Sequence, residues 1–460
     1  MQWIAEGRRI IKVAVPLSIV YLIESMMAFV DSVFMGRFRA DEIAGYGLGA
    51  RIVFDATNVI CLCVIGMVAV FSAKYDAIQD KRAVEVHVQH GFYMCFLLSL
   101  PVVLVTLNLD SLLVAFNVDL AVSLQADQYA QGAVYSILPL ALFCVLRDHS
   151  AAVSDFSSIL YITLFASVFK AVISYVLILG EFGFPRLGAY GAGLSTSLVS
   201  WGMLAAEIAL YSLSNRKSRK AYAIFTGWVT PRFSLVKKYL AMGLPLSANS
   251  LVISLMFIVL MLFTEKVGTL ELAAAQLVFS YIYPVFMLVE GVREAIAIRV
   301  AQEHALGNVH KVRRLTVVAS MVSMLFLFPF AFVVFFDSTL VASMFFNVND
   351  SSNFGLLTQF NLIICLAALS IVVECVQVIL LGALKGLEDT KVPFLINTTT
   401  AWLIGVAGGY YLAFNLDQGV VGLWVALIFS HLLSLLLLML RLLLVTRPNS
   451  SLLRMSSTYD

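Results

Sequence analysis

About twelve apolar runs, each of the order of 20 residues, follow one another along this 460-residue chain. A run of that length crosses a hydrocarbon core as a helix, because every backbone N–H and C=O must find its partner inside the segment. The period-2 alternation of a lipid-facing barrel is missing from these runs. Their approximate spans are 10–36, 44–74, 91–116, 129–153, 158–181 and 189–214, then 237–264, 270–300, 315–342, 354–384, 390–414 and 420–446. Charged residues make up only 13% of the chain, roughly half of what a soluble protein carries.

The runs also repeat. Pro16-Leu17-Ser18 returns as Pro245-Leu246-Ser247, a shift of 229 positions. At the same shift Ser25 falls on Ser254, Met27 on Met256, Val30 on Val259, Glu42 on Glu271 and Gly193-Leu194 on Gly422-Leu423. Six helices per half make the halves parallel repeats, and repeats in an apolar chain point to a transporter whose site lies between them. The expected fold is therefore an all-α membrane protein, with twelve transmembrane helices in two six-helix lobes related by pseudo-two-fold symmetry. The expected divisions are an N-terminal lobe over 1–214, a cytoplasmic inter-lobe loop over 215–236, a C-terminal lobe over 237–446 and a cytoplasmic tail over 447–460.

Charge placement orients the bundle. Arg37, Arg39, Arg186 and Lys266 fall in loops on one side, and Arg51, Lys170 and Arg293 fall inside apolar runs. The remaining lysines and arginines are read on the other side, densest in Arg216-Lys217-Ser218-Arg219-Lys220. Positive charge stays cytoplasmic, which assigns both termini to the inside, and the basic loop reads as a topology signal beside anionic lipid rather than a nucleic-acid site. The first apolar run follows Arg8-Arg9 directly and is too long for a cleavable signal peptide. Cys61, Cys63, Cys95, Cys144, Cys365 and Cys375 all fall in spans, without zinc-like spacing, and read as buried thiols. No GxxxxGK[ST] loop is present, so uphill movement draws on an ion gradient; no cofactor, metal or catalytic residue is expected.

An ionisable group in hydrocarbon costs a few kcal/mol or more unless it has a partner, water or a job. Asp31 lies two helical turns after Glu24 in the first span, which places both carboxylates on one face. Lys170 lies mid-span in the fifth and is the natural counter-ion for Asp31 or Glu24, whether as a fixed pair or a titrating one. Arg51 and Asp55 form an i,i+4 structural pair. In the eighth span Glu290, Arg293 and Glu294 give i,i+3 and i,i+4 contacts around one turn; either Arg293 is neutralised by Glu294, which leaves Glu290 spare to line a wet cavity, or the group forms an internal locking pair. Glu374 in the tenth span has no cation within helical reach, so its partner must come from another helix or from cargo, with His431 of the twelfth span as a possible neighbour. A coupling role for these groups fails if Asp31 and Glu374 are both turned outward into lipid headgroups or both locked in contacts that no aqueous opening reaches.

Several motifs carry a family resemblance. Pro16-Leu17-Ser18 followed by Phe29-Val30-Asp31-Ser32 and Gly36 resembles the first helix of the multidrug and toxic compound extrusion (MATE) family, its bacterial exporters in particular. Gly243-Leu244-Pro245-Leu246, Ile298-Arg299-Val300, Glu374-Cys375-Val376-Gln377 and Gly382-Ala383-Leu384-Lys385-Gly386 agree, and the likeness covers roughly residues 5–445. The resemblance implies a V-shaped, twelve-helix exporter of the bacterial inner membrane, acting as a monomer, that exchanges amphipathic, cationic organic compounds for H⁺ or Na⁺. It also implies cation coupling at Asp31 and cation or substrate binding at Glu374; the residues themselves add Glu24 and Lys170 to the coupling set and Glu290, Arg293, Glu294 and His431 as further cation- or substrate-binding candidates. Three departures matter. Ile253 stands where many relatives place a helix 7 glutamate, Lys170 stands where relatives place an asparagine, and Arg293-Glu294 in helix 8 is also atypical. A fixed ammonium beside Asp31 repels Na⁺, which favours H⁺. The alternatives are a lipid-linked precursor flippase, kept open by Lys170, Arg51 and Arg293, and a dedicated metabolite exporter, kept open by Arg293-Glu294; an intramembrane enzyme lacks any supporting motif.

Overall fold

The computed structural model describes residues 2–36, 38, 40–115, 118–213 and 222–447. Arg37, Arg39, the basic run 216–220 and the tail from Pro448 lie outside the described residues, as does the side chain of Cys61. Among the described residues twelve helices are long and apolar enough to cross a membrane, and no strand is present. They are α1 (Glu6–Met35), α2 (Glu42–Ala77), α3 (Lys81–Leu107), α4 (Leu120–Ala152), α5 (Ser158–Leu179) and α6 (Gly188–Ser212). The second half gives α7 (Phe233–Val267), α8 (Thr269–Ala305), α9 (Val309–Phe336), α10 (Phe354–Gly386), α11 (Lys391–Asn415) and α12 (Gly419–Val445).

Several helices begin well before their apolar runs. α3 starts at Lys81 because Asp80 caps it, accepting the Ala83 N–H at 3.0 Å, and Asp119 caps α4 in the same way through Ala121 at 2.9 Å. Hydropathy sees only the apolar stretch of such a helix, not the polar turns that a cap adds. Pro139 lacks an N–H and crowds the carbonyl four residues back, and α4 tightens into a 3₁₀ turn at Val134–Ser136 just ahead of it. α2 and α11 carry π-helical stretches, at Thr57–Leu62 and at Ala401–Gly408 with Tyr411–Asn415.

Contacts divide the chain into one unit of Met1–Ser18 with Ala248–Asp460 and another of Ile19–Ser247. Both boundaries fall at the end of a Pro-Leu-Ser and are repeat equivalents. The start of α1 thus packs with the second half, where Ser18 Oγ donates to Leu288 O at 2.6 Å and Gly291 leaves no room for a Cβ against Ser18. The start of α7 packs with the first half, where Tyr239 OH donates to His87 O at 3.0 Å and a Cβ on Gly243 would stand 2.6 Å from Val64 Cα. The segment leading into α7 is fastened to α3: Gln89 accepts the Val229 N–H, Tyr93 donates to Val229 O, and His90 Nε2 accepts the Arg232 N–H at 2.9 Å.

Close helix approach inside each unit depends on glycine. In the Ile19–Ser247 unit Gly132 of α4 faces Gly193 of α6, and a Cβ on either would collide with Tyr190 O or Tyr129 O. In the other unit Gly382 and Gly386, a GxxxG pair on α10, lie against the carbonyls of Arg293 and Ala297 on α8, each 2.5 Å from where a Cβ would sit. Replacing Gly193 by valine forces α4 and α6 apart, and overpacking of this kind costs about 1–3 kcal/mol. The Gly193→Val protein is therefore expected to unfold at a lower temperature in detergent. Gly202→Ala, at a site with nothing within 4 Å, is expected to match the parent.

Candidate functional site

In the Ile19–Ser247 unit, α1, α5 and α6 meet at a charged centre. Asp31 Oδ2 lies 2.7 Å from Lys170 Nζ, and the two residues are 2% and 3% exposed. An ammonium has three N–H donors. Lys170 directs them to Asp31, to Ser195 Oγ at 2.7 Å and to Thr196 Oγ1 at 2.7 Å. Ser174, one turn after Lys170 on α5, donates to Asp31 Oδ1 at 2.6 Å. Ser195 and Thr196 in turn donate to Ala192 O. Both charges are fully solvated by protein, as buried ions must be. The pair is also sealed, so in this conformation water does not reach Asp31.

Glu24, two turns earlier on α1, does not share this centre. Its oxygens lie 3.1 and 3.2 Å from Arg147 Nη1, and Arg147 Nε lies 3.1 Å from Asp148 Oδ1. Arg147 also stacks over Tyr21. The charge-side reading grouped Arg147 with the basic loops; the structure places it inside the last two turns of α4, where Glu24 is its partner. Arg51 Nε and Asp55 Oδ2 are 2.7 Å apart along α2, on its exposed side.

In the other unit the expected pairing on α8 is corrected. Arg293 reaches back one turn to Glu290, 2.5 Å away, rather than to its neighbour Glu294. Consecutive residues on a helix point about 100° apart, so Glu294 faces α10 instead. There it accepts both a 2.8 Å and a 3.0 Å hydrogen bond from Lys385, and both residues are buried. Glu290 is therefore not spare, and Glu294 is withdrawn from any cavity. Glu374 is half-buried, and among the described residues no hydrogen bond or ion pair reaches it.

His431 belongs to a separate, uncharged cluster. Its Nδ1 lies 2.8 Å from Gln377 Oε1, one turn along α10 from Glu374. Gln377 Nε2 donates to Asn397 Oδ1 of α11 and to Ser434 Oγ of α12, and Asn397 Nδ2 donates to Asn249 Oδ1 of α7 at 2.8 Å. Sequence reading missed this cluster, the Lys385 and Arg147 partners, the two hydroxyls on Lys170 and the Ser174 hydroxyl on Asp31. The usable signal was a polar residue one helical turn from an intramembrane charge, as with Ser174 after Lys170 and Gln377 after Glu374.

Removing one member of a buried ion pair strands the other, at about 3–5 kcal/mol. Lys170→Met is therefore expected to lower the unfolding temperature markedly, and adding Asp31→Asn to recover most of the loss. A four-variant thermal cycle in detergent reads this; a Lys170→Met protein as stable as the parent contradicts the geometry.

Comparison with known proteins agrees with this architecture. The family model described as MatE matches residues 16–176 and 245–411, two segments that open at the repeated prolines. A probable multidrug resistance protein NorM of Rhodopseudomonas palustris is 30% identical over 426 residues, covering 92% of this chain and 89% of its own. The protein of the same description from Pseudomonas putida is 28% identical over 425 residues, covering 91% and 90%. Among solved structures, the eukaryotic MATE transporter AtDTX14 superposes with a TM-score of 0.82 at 17% identity, covering 96% of this chain and 97% of its own. A MOP superfamily transporter from Pyrococcus furiosus, described as having reverse polarity of its binding pocket, gives 0.85 at 15% identity, covering 96% of each chain. With twelve apolar helices, a doubled Pro-Leu-Ser frame and a family match in both halves, the chain belongs to the MatE family of multi-pass membrane transporters.

Proposed function

We propose that this transporter is a secondary antiporter that exports amphipathic organic cations in exchange for H⁺. The observation that carries the reading is the Lys170 ammonium, 2.7 Å from Asp31. A Na⁺ site needs several oxygen ligands, and here a fixed cation already takes the oxygens of Asp31, Ser195 and Thr196. A proton needs only one of the two Asp31 oxygens. Its arrival removes the negative end of the pair and leaves a buried ammonium without counter-charge, a state that is strongly disfavoured. Because the pair is sealed, protons exchange in a conformation in which α1 has parted from α5 and α6, and protonation of Asp31 there disfavours the return of the pair.

Glu374 supports a cationic cargo, since it is the acid without an ion-pair partner among those the sequence singled out. The cations that favour an anionic, lipid-linked cargo do not stand alone: Lys170 is held by Asp31, Arg51 by Asp55 and Arg293 by Glu290. The NorM descriptions of the relatives agree with a multidrug range. The setting we infer is a bacterial inner membrane, with a monomer and both termini on the cytoplasmic side where positive charge concentrates.

Exchange of one H⁺ for one monovalent cation moves no net charge, so the pH difference drives it, and each pH unit supports about tenfold accumulation of cargo per proton. Proteoliposomes holding a fluorescent organic cation are expected to expel it under an imposed H⁺ gradient and not under a Na⁺ gradient alone. Asp31→Asn is expected to abolish the gradient-driven component, and Glu374→Gln to raise the cargo concentration needed for half-maximal transport. Sodium-only driving, or undiminished H⁺-driven efflux by Asp31→Asn, refutes the mechanism.

A further inference from the structure

α8 and α10 lie tightly together at Gly382 and Gly386, but about three turns earlier along α10 the packing opens. A cleft enclosing about 280 Å³ of empty space runs there between α8, α9 and α10. Tyr281 and Val285 line it from α8, Phe330 and Ala331 from α9, and Ala368 and Ile371 from α10. The sequence explains the opening. Val285 follows Pro284 and Phe330 follows Pro329, and each proline ring crowds the carbonyl four residues back and withholds an N–H. Ala331 and Ala368 then offer only methyl groups where larger side chains would close the gap. The walls are aliphatic and aromatic. The Tyr281 and Phe330 rings meet edge to face with centroids 6.3 Å apart, and the Tyr281 hydroxyl is turned to Phe330 O at 3.4 Å. Among the described residues no charged side chain lines the cleft.

An acid stands next to it. Glu374 lies one turn beyond Ile371 on α10, about 4.5 Å along the axis. Among the described residues it has neither a hydrogen bond nor an ion pair. An apolar hollow beside an uncompensated carboxylate is complementary to one kind of molecule, with an apolar body and a positive charge at one end. We propose that this cleft is the subsite for the apolar, ring-bearing body of the exported cation. The proposal rests on the reading of Glu374 as the site of the cationic head, and it gives that cargo its second half. Pockets that hold a whole drug-sized ligand run from about 300 to about 1,000 Å³. A cleft of this size therefore takes one ring system and leaves the charged end outside, toward Glu374. A lipid tail is the competing occupant. Its polar end stays at the membrane interface, whereas Glu374 lies deep inside the 33-residue α10, so an acyl chain leaves the carboxylate uncompensated.

Two probes separate the halves of the site: ethidium, a flat aromatic cation, and 6-phenylphenanthridine, an uncharged molecule with the same ring system. Binding to the purified full-length protein is read by fluorescence at one detergent concentration, so that partition into micelles cancels between variants. Ala368→Leu fills the cleft without adding charge. Each methylene excluded from an apolar site weakens binding about fourfold, so this variant is expected to bind both probes about tenfold more weakly than the parent. Glu374→Gln is expected to weaken ethidium alone. Unchanged binding of both probes by Ala368→Leu overturns the proposal. Should that variant fail to fold, Ala331→Leu, at a half-buried position on the α9 wall, carries the same expectation and the same refutation. Native mass spectrometry supplies a second way to fail. A phospholipid that stays with the parent, is lost from Ala368→Leu and is not displaced by ethidium assigns the cleft to an acyl chain and overturns the proposal. Weakening of both probes by Ala368→Leu, with ethidium indifferent to Glu374→Gln, removes the cationic-head reading and leaves the apolar subsite standing.

Discussion

A buried ammonium saturated by one carboxylate and two hydroxyls is the constraint on which the first unit depends. In hydrocarbon neither Asp31 nor Lys170 is tolerable alone. Their pairing therefore commits α1, α5 and α6 to one arrangement, with Ser174, Ser195 and Thr196 supplying what remains of the lost hydration. The same rule governs three further acids in the spans. Glu24 is met by Arg147 and Glu294 by Lys385, residues that packing brings within reach, and Glu290 by Arg293 one turn along its own helix. Glu374 stands outside the rule, and an acid left uncompensated in such a setting is where a cation from elsewhere has most to gain.

Much of the frame was legible from the chain. Helix number follows from run length, because a bilayer sets a minimum that composition reveals directly. The repeat is visible because duplicated turns keep their glycines and prolines where backbones approach closely. Asp31 and Lys170 announced themselves as charges too deep to reach water. Arg147 did not, since a charge near a helix end reads as a loop residue when only hydropathy is known. The swap on α8, where Glu294 leaves Arg293 for Lys385, was hidden for a different reason. Spacing tells which residues share a face of one helix, but not which face meets a neighbour. That depended on Gly382 and Gly386, whose missing side chains let α10 lie against α8 and deliver Lys385 to its acid. The uncharged cluster was the hardest to see, because amides, hydroxyls and imidazole cost less in an apolar run and stand out less.

Duplication supplied a common scaffold, and the two halves then diverged in chemistry. At the 229-residue shift Asp31 corresponds to Leu260 and Ser195 to Trp424, both buried apolar residues in the core of the second unit. The position of the charged centre is thus filled with hydrocarbon in the other half. The uncharged cluster uses the same helices at another level: Asn249 lies eleven residues before Leu260, and Ser434 ten residues after Trp424. At 1.5 Å per residue each displacement is about 15 Å along its helix. Successive spans alternate in direction, so moving toward the start of α7 and toward the end of α12 carries both residues to the same side of the bilayer. That side is the one where α7 begins, next to the basic loop. The two centres therefore lie at different levels along repeat-equivalent helices. A protein built from two copies of one frame has kept the symmetry of its backbone, where packing demands it, and abandoned it in the buried polar groups.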